Sequence, residues 1–378
     1  MESTPPHEQR IGMIDIARFY GIALVYYGHF IERIMYLKNP TAAIHYKFIY
    51  SFHMLLFFVL AGFIAKESDL QLGFRKYLKH RFFSRLIPFI FFTGLMIVLT
   101  LFFSGDFFGL ELPSIRGYLQ GLLLTAFGLP NFNVPTWFLM CLFSVELVHY
   151  FAFRFFKADS KILIGAVIFY VGGYLLNWKV DFFNPMNQRV VGWNYLYIHE
   201  ALCVYSFYLL GIYLRRKRFL MDKTSLKILA PGLITGFLAV LFTYKLNQGP
   251  FSFFNSVVIM MSSHGHFFFF PLTAVMGSIF ILFLAKATPS LGTVAWLGQN
   301  ALILFCLNGI FYHFINGRAA QWVVEYLSGV SWVIFAVGSL MTLVSLTLCI
   351  PLIYFFDKLV PQLIGKPKIE GPLFKNFL

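Results

Sequence analysis

Apolar residues fall in long runs along this chain, and short polar segments separate the runs. Each run is close to the roughly 20 residues that a helix needs to cross a bilayer. Hydrophobic residues make up 59% of the chain and charged residues only 12%, about half of the charged share in a soluble domain. The pattern predicts an all-α integral membrane protein with about ten transmembrane helices. The runs lie near 12–36, 46–65, 86–104, 137–153, 161–177, 198–214, 226–244, 266–285, 294–315 and 331–356.

A further stretch, residues 117–129, is apolar but too short to cross the bilayer. It ends at the segment GLPNFNVP, whose glycine, prolines and asparagines interrupt a helix. We therefore predict one short re-entrant or interfacial helix at this place.

The basic residues set the orientation of these helices. If the N-terminus lies inside and the chain crosses ten times, inner loops and tails hold 21 of the 30 Lys and Arg residues and outer loops hold seven. The positive-inside rule then predicts that both termini are cytoplasmic. The net charge of +14 lies in these short clusters, so no nucleic-acid binding is predicted. No linker divides the chain, and residues 1–378 are predicted to form a single transmembrane domain.

The first apolar run, which includes IDIARFYGIALVYYGHFIER, carries ionisable residues that a lipid-facing helix would not have. Such residues are costly inside a membrane and usually functional. At 100° per residue, Arg18 and His29 lie about 20° apart around the helix and about 16 Å apart along it. Asp15 and Glu32 fall near the same stripe. Alternatively, Asp15 and Arg18 form only a buried ion pair, and His29 bonds to a neighbouring helix.

Several segments carry a family resemblance. Besides YYGHF in the first run, they are FHMLLFFVLAGF, RKYLKHRFFSRLIPF, PTWFLMCLFSVELV and VAWLGQNALILFCLNGIFYH. Over most of its length the chain resembles the acyltransferase-3 family of membrane proteins. The most specific matches are an arginine and a histidine separated by ten residues, here Arg18 and His29, and a Phe-x-x-Arg motif, here Phe82 and Arg85. Within the family it looks like the branch of fucose 4-O-acetylase-like and polysaccharide O-acetyltransferases.

Two positions depart from the family pattern. The Ser-Gly-Phe triplet of the family is Ala61, Gly62 and Phe63 here, so only a close-packing glycine carries over. Asn308 stands where relatives have a late histidine, with His313 five residues further along. No role is transferred to either of these two residues.

The resemblance implies a multi-pass enzyme of the bacterial inner (plasma) membrane that moves an acyl group from cytoplasmic acyl-CoA. Acetyl-CoA is the expected co-substrate, and a hydroxyl of a cell-surface polysaccharide, lipopolysaccharide or lipid-linked sugar is the expected acceptor. Arg18, Arg81 and Arg85 are expected to bind the acyl donor because arginine forms bidentate bonds to phosphate. His29 is expected to be essential, either as a general base or as a transient acyl-histidine.

Other residues have two interpretations each. Glu32 is predicted to orient His29 as a catalytic partner, or else is solvated or paired with Arg33. His53 is predicted to contact substrate, or else forms an interhelical hydrogen bond. Trp137 is predicted to stack on a sugar ring, or else anchors the helix at the membrane interface. His264 and His266 form an H-x-H pair without a third clustered ligand, so no metal is predicted.

Two alternative functions stay open from the sequence. Buried charges also serve proton-coupled carriers, so a transporter or exporter of saccharides or lipid-linked intermediates is the main alternative. The other keeps the enzyme class and replaces acetyl-CoA with succinyl-CoA or a longer acyl-CoA.

Overall fold

A computed structural model describes residues 12–179, 195–222, 224–248, 256–289 and 291–378. Residues 1–11, predicted as an inner tail, lie outside the described residues. Throughout the described ranges the chain is helical and contains no β-strand, only one isolated bridge between Val258 and Ser263. The α-helices are α1 Gly12–Tyr36, α2 Pro40–Tyr50, α3 His53–Ile64, α4 Phe74–Arg81, α5 Ile87–Thr100, α6 Ile115–Ala126, α7 Trp137–Ala152, α8 Asp159–Lys179, α9 Ile198–Arg216, α10 Leu226–Thr243, α11 Phe269–Ala287, α12 Gly292–Gln299, α13 Ala301–Ile310, α14 Asn316–Tyr326 and α15 Ser331–Leu359.

Eight helical segments in the described ranges are long and apolar enough to cross a membrane, or nine if the bent segment from α12 to α14 counts as one span. α1 is not among them, because its ionisable residues lower its hydropathy. It is nevertheless 25 residues long and mostly buried. Each of the ten predicted runs therefore corresponds to a helix, and the number of actual crossings stays a prediction.

Three of the predicted spans differ in detail. The second begins earlier, at Pro40, because Asn39 caps its N-terminus by accepting a bond from the Ala42 amide at 2.9 Å, and it is interrupted between α2 and α3. The third begins at Phe74 rather than near residue 86. The ninth is not straight, since α12 and the helix that follows bend by 73° at Asn300. The stretch predicted at 117–129 forms the 12-residue helix α6, which Ser114 caps, and its re-entrant or interfacial position stays a prediction.

α1 lies in the middle of the bundle and packs against α2, α3 and α11 to α15. Small residues allow close approach elsewhere. A Cβ on Gly62 of α3 would overlap the Tyr208 carbonyl of α9, and a Cβ on Gly211 of α9 would overlap the Val59 carbonyl of α3. Membrane helices pack closely through such residues, because lipid supplies no hydrophobic drive for their association. The close-packing role predicted for Gly62 is therefore confirmed.

Candidate functional site

A cavity of about 240 Å³ opens near the N-terminal end of α1. Three cationic side chains from separate parts of the chain line it: Arg18, Arg85 and Lys366. No acidic side chain among the described residues lines it. Ala61, which stands where the family has a serine, forms part of its wall. We call this the cationic cavity, and its charge favours an anionic ligand.

Each of the three cations has an acidic partner behind the cavity wall. Arg18 bonds to Asp15 at 3.1 Å, which confirms the ion pair suggested by their spacing. Arg85 donates to both carboxylate oxygens of Glu146, at 3.1 and 2.8 Å. Lys366 pairs with Asp357. These acids hold the cations in place without placing negative charge on the wall.

Arg81 lies beside the cationic cavity and does not line it. Its guanidinium bonds to Asp69 at 2.7 Å and to Glu146 at 3.3 Å, and it covers the ring of Tyr77 at 4.8 Å. The structure therefore brings Arg18 and Arg85 together at one cavity and leaves Arg81 in the ion-pair network behind it.

His29 lies further along α1, about 16 Å from Arg18 by helical rise. Its Nδ1 contacts Oδ1 of Asn308, and its ring meets the edge of Tyr312 at 5.0 Å between centroids. In the neutral imidazole that matches this contact, Nδ1 donates its proton to Oδ1 and Nε2 is the acceptor. This pairing suits a base at Nε2.

Glu32 is buried and surrounded by tyrosine hydroxyls. Tyr36, Tyr50 and Tyr312 donate to its carboxylate at 2.5, 2.8 and 3.0 Å. The structure gives it no bond to His29, whose Nδ1 partner is Asn308. Glu32 does not pair with Arg33 in the structure either, and the acidic partner of Arg33 is Asp106 at 2.5 Å. Through Tyr312, however, Glu32 positions a ring that touches His29.

His53 and Trp137 are both buried. His53 begins α3, donates from Nδ1 to the Ile49 carbonyl at 2.9 Å, and faces the ring of Tyr50. Trp137 begins α7, is only 6% exposed, and packs on Tyr197 with ring centroids 5.5 Å apart. The interfacial anchor considered for Trp137 is wrong, because an anchor would face the membrane surface.

Two π-helical segments flank these residues. Phe82–Leu86 carries Arg85, and Phe311–Ile315 carries Tyr312 and His313. A π-turn inserts an extra residue and redirects the side chains that follow, and such turns are frequent at functional sites. His313 itself donates from Nδ1 to the Asp106 carbonyl at 2.8 Å and stacks on Phe107.

Three phenylalanines form one side of the cationic cavity. Phe57, Phe138 and Phe305 all line the cavity, with ring centroids 5.3–6.0 Å apart. Phe57 packs on Gly21, about 12 Å below His29 along α1. We call these three rings the aromatic wall. His29 is not among the residues that line the cavity, and the single channel predicted between Arg18 and His29 stays a prediction.

A second polar cluster lies at the start of α9. His264 pairs with the fully buried Glu200 at 2.8 Å, and Cys203 is nearby, so that the ligand atoms of the three residues lie within 4.8 Å of one another. His266 is separate, because its Nδ1 accepts a bond from the Phe268 amide. A direct hydrogen bond between Glu200 and His264 satisfies both groups, and the absence of a metal stays a prediction.

Comparison with protein families now identifies the class. A family model described as an acyltransferase domain matches residues 11–354, nearly the whole chain. The chain belongs to this family, the acyltransferase-3 family, and is therefore a multi-pass membrane acyltransferase. Neither the comparison with curated proteins nor that with solved structures gives a match.

Sequence reasoning did not select three residues that the structure places at the site. Glu146 and Asn308 are polar residues inside apolar runs, a signal that could have found them. Lys366 lies in a polar tail after the last helix, and nothing in its surroundings distinguishes it from other tail lysines.

Proposed function

We propose that this acyltransferase moves an acetyl group from cytoplasmic acetyl-CoA to a hydroxyl of a cell-surface polysaccharide, lipopolysaccharide or lipid-linked sugar. The enzyme would act in the inner membrane of a bacterial cell, like the fucose 4-O-acetylase-like branch that it resembles. The observation that carries the proposal is the cationic cavity, which three cations and no acidic side chain line, and which includes Arg18 from the same helix as His29.

The acyl donor is expected to enter with its phosphates at the cationic cavity. Arg18 and Arg85 have planar guanidinium groups, which suit phosphate oxygens. A cavity of about 240 Å³ is smaller than typical sites for drug-sized ligands, so it would hold only part of CoA. Arg81 would support Arg85 through their shared partner Glu146 rather than touch the ligand.

The chemistry would take place at His29. Its Nε2 removes the proton of the acceptor hydroxyl while the hydroxyl oxygen attacks the thioester carbonyl. The carbon–sulfur bond then breaks, the ester remains on the acceptor, and the CoA sulfur leaves with the proton held by His29. Proton transfer of this kind contributes roughly 10²–10⁴ in rate. His53 and Trp137 are proposed to contact the acceptor sugar.

The offset of about 16 Å between Arg18 and His29 suits the extended pantetheine arm of CoA, which would carry the acyl group from the cationic cavity toward His29. The path that we propose from Arg18 to His29 passes the aromatic wall, which would open or let the arm pass between its rings. Acyl transfer from the cytoplasmic side toward an acceptor on the outer side is therefore the reaction that we propose to test.

The test uses purified protein in nanodiscs with labelled acetyl-CoA and envelope glycans. Label should reach the glycan with the wild-type protein and with His266→Ala, a histidine outside the site, and should be lost with His29→Ala. In sealed proteoliposomes, saccharide flux without acyl-CoA in both the wild-type protein and His29→Ala would show that the protein is a carrier instead. Mass spectrometry of the product separates acetyl from succinyl or longer groups.

A further inference from the structure

The chain after α15 folds back, and the side chain of Gln362 ties together the residues that follow it. Gln362 is fully buried, and its amide nitrogen donates to the carbonyls of Ile369 at 2.7 Å and Phe374 at 2.6 Å. The Phe377 amide closes the same loop by donating to the Pro367 carbonyl at 2.9 Å. We call residues 360–378 the C-terminal clasp. These bonds give it a defined shape.

The C-terminal clasp rests on the π-helical segment that carries Arg85. The rings of Phe377 and Phe83 lie 5.1 Å apart. Gly365, at φ +88°, lies beside the Ser84 carbonyl, a backbone conformation that glycine adopts without strain. The next residue, Lys366, consequently reaches the wall of the cationic cavity, whereas Lys368 does not line it.

Lys366 retains capacity for a ligand. Its ammonium group has three donors. One goes to Asp357, and the Asn300 side-chain oxygen at the α12–α13 bend is 3.5 Å away. Its side chain is 31% exposed and lines the cavity, which leaves one donor for a ligand there. Together with Arg18 and Arg85, it surrounds the cavity with three positive charges.

We propose that the C-terminal clasp is part of the acyl-donor site and that Lys366 binds a phosphate of the donor. This inference rests on the proposed function and makes it more specific. The enzyme would select acyl carriers that bear phosphates, such as CoA, over the same thioester on unphosphorylated pantetheine. Lysine suits this role as a compact charge that follows a phosphate without a fixed orientation.

The experiment measures binding of CoA, pantetheine and inorganic pyrophosphate to the full chain in nanodiscs. Lys366→Gln should weaken CoA and pyrophosphate binding about tenfold or more, the effect of losing one charge-assisted hydrogen bond. It should leave pantetheine binding unchanged, and Lys368→Gln should resemble the wild-type protein for all three ligands. Lys366→Arg should restore most of the CoA affinity. Equal CoA affinity for Lys366→Gln and Lys368→Gln would overturn the inference.

A measurement on the wild-type protein does not depend on how the variants fold. Amine-reactive labelling followed by mass spectrometry should show Lys366 protected by saturating CoA and Lys368 not protected. Unchanged labelling of Lys366 would also overturn the inference. If acyl transfer proceeds and Lys366→Gln has no effect, the inference fails and the proposed function stands. If CoA neither binds nor reacts but pyrophosphate binding depends on Lys366, the anion site stands and the proposed function fails.

Discussion

Replacing Glu146 with alanine should destabilise the protein and displace Arg85 from the cationic cavity. The Glu146 side chain is 4% exposed and is the acidic partner of Arg85. Breaking a buried ion pair by removing one partner costs roughly 3–5 kcal/mol, because the other charge stays buried. Arg81 keeps Asp69 at 2.7 Å, and Arg85 is 18% exposed. We therefore expect the lower end of the range, about 3 kcal/mol.

Two further variants test the cause of this loss. Glu146→Gln keeps one carbonyl oxygen for Arg85 and should cost about 1.5 kcal/mol, one charge-assisted hydrogen bond. The double variant Glu146→Gln with Arg85→Gln removes both charges of the pair. Its loss of unfolding free energy should therefore be less than the sum of the losses in the two single variants. Glu325 is an exposed acid on α14, and Glu325→Gln is the matched control. It should leave the unfolding free energy almost unchanged.

The assay is unfolding in mixed micelles, followed by a thiol-reactive dye. All four cysteines are buried, so their labelling reports loss of the fold. Acyl-CoA kinetics on the same variants should show a raised KM for Glu146→Gln, because Arg85 is no longer held at the cavity. A solvent-exposed ion pair contributes at most about 1 kcal/mol to stability. If Glu146→Ala lowers the unfolding free energy by less than this, the reasoning is refuted.

Three other changes test separate parts of the site. Asn308→Leu removes the acceptor for His29 Nδ1 and should lower kcat about 10²-fold with little change in donor KM; steady-state kinetics check this, and an unchanged kcat would contradict it. Phe138→Ala opens the aromatic wall and should shift the donor preference toward longer acyl chains, measured as kcat/KM over a series of acyl-CoAs. If the order of kcat/KM among the donors does not change, the wall is not a size filter. Gly298→Ala places a Cβ on the backbone of α1 and should destabilise by about 1–3 kcal/mol in the unfolding assay, whereas Gly94→Ala, with open space around it, should not.

The sequence alone determined the class of fold, because the requirement for long apolar helices acts locally. Every predicted run corresponds to a helix, and the short stretch before GLPNFNVP is the short helix α6. The spacing of Arg18 and His29 along one helix was also readable, since a helix fixes both angle and rise.

The tertiary structure decided which of the ionisable residues meet. Arg81 and Arg85 were both expected to bind the donor, yet only Arg85 lines the cavity, and Arg81 pairs with Asp69 and Glu146 behind it. His29 bonds to Asn308, a residue 279 positions away, rather than to Glu32 one turn along. Lys366 lines the same cavity because the chain folds back after α15, a long-range arrangement that its local sequence does not reveal. Local patterns fix which residues a helix can present, whereas long-range packing selects their partners.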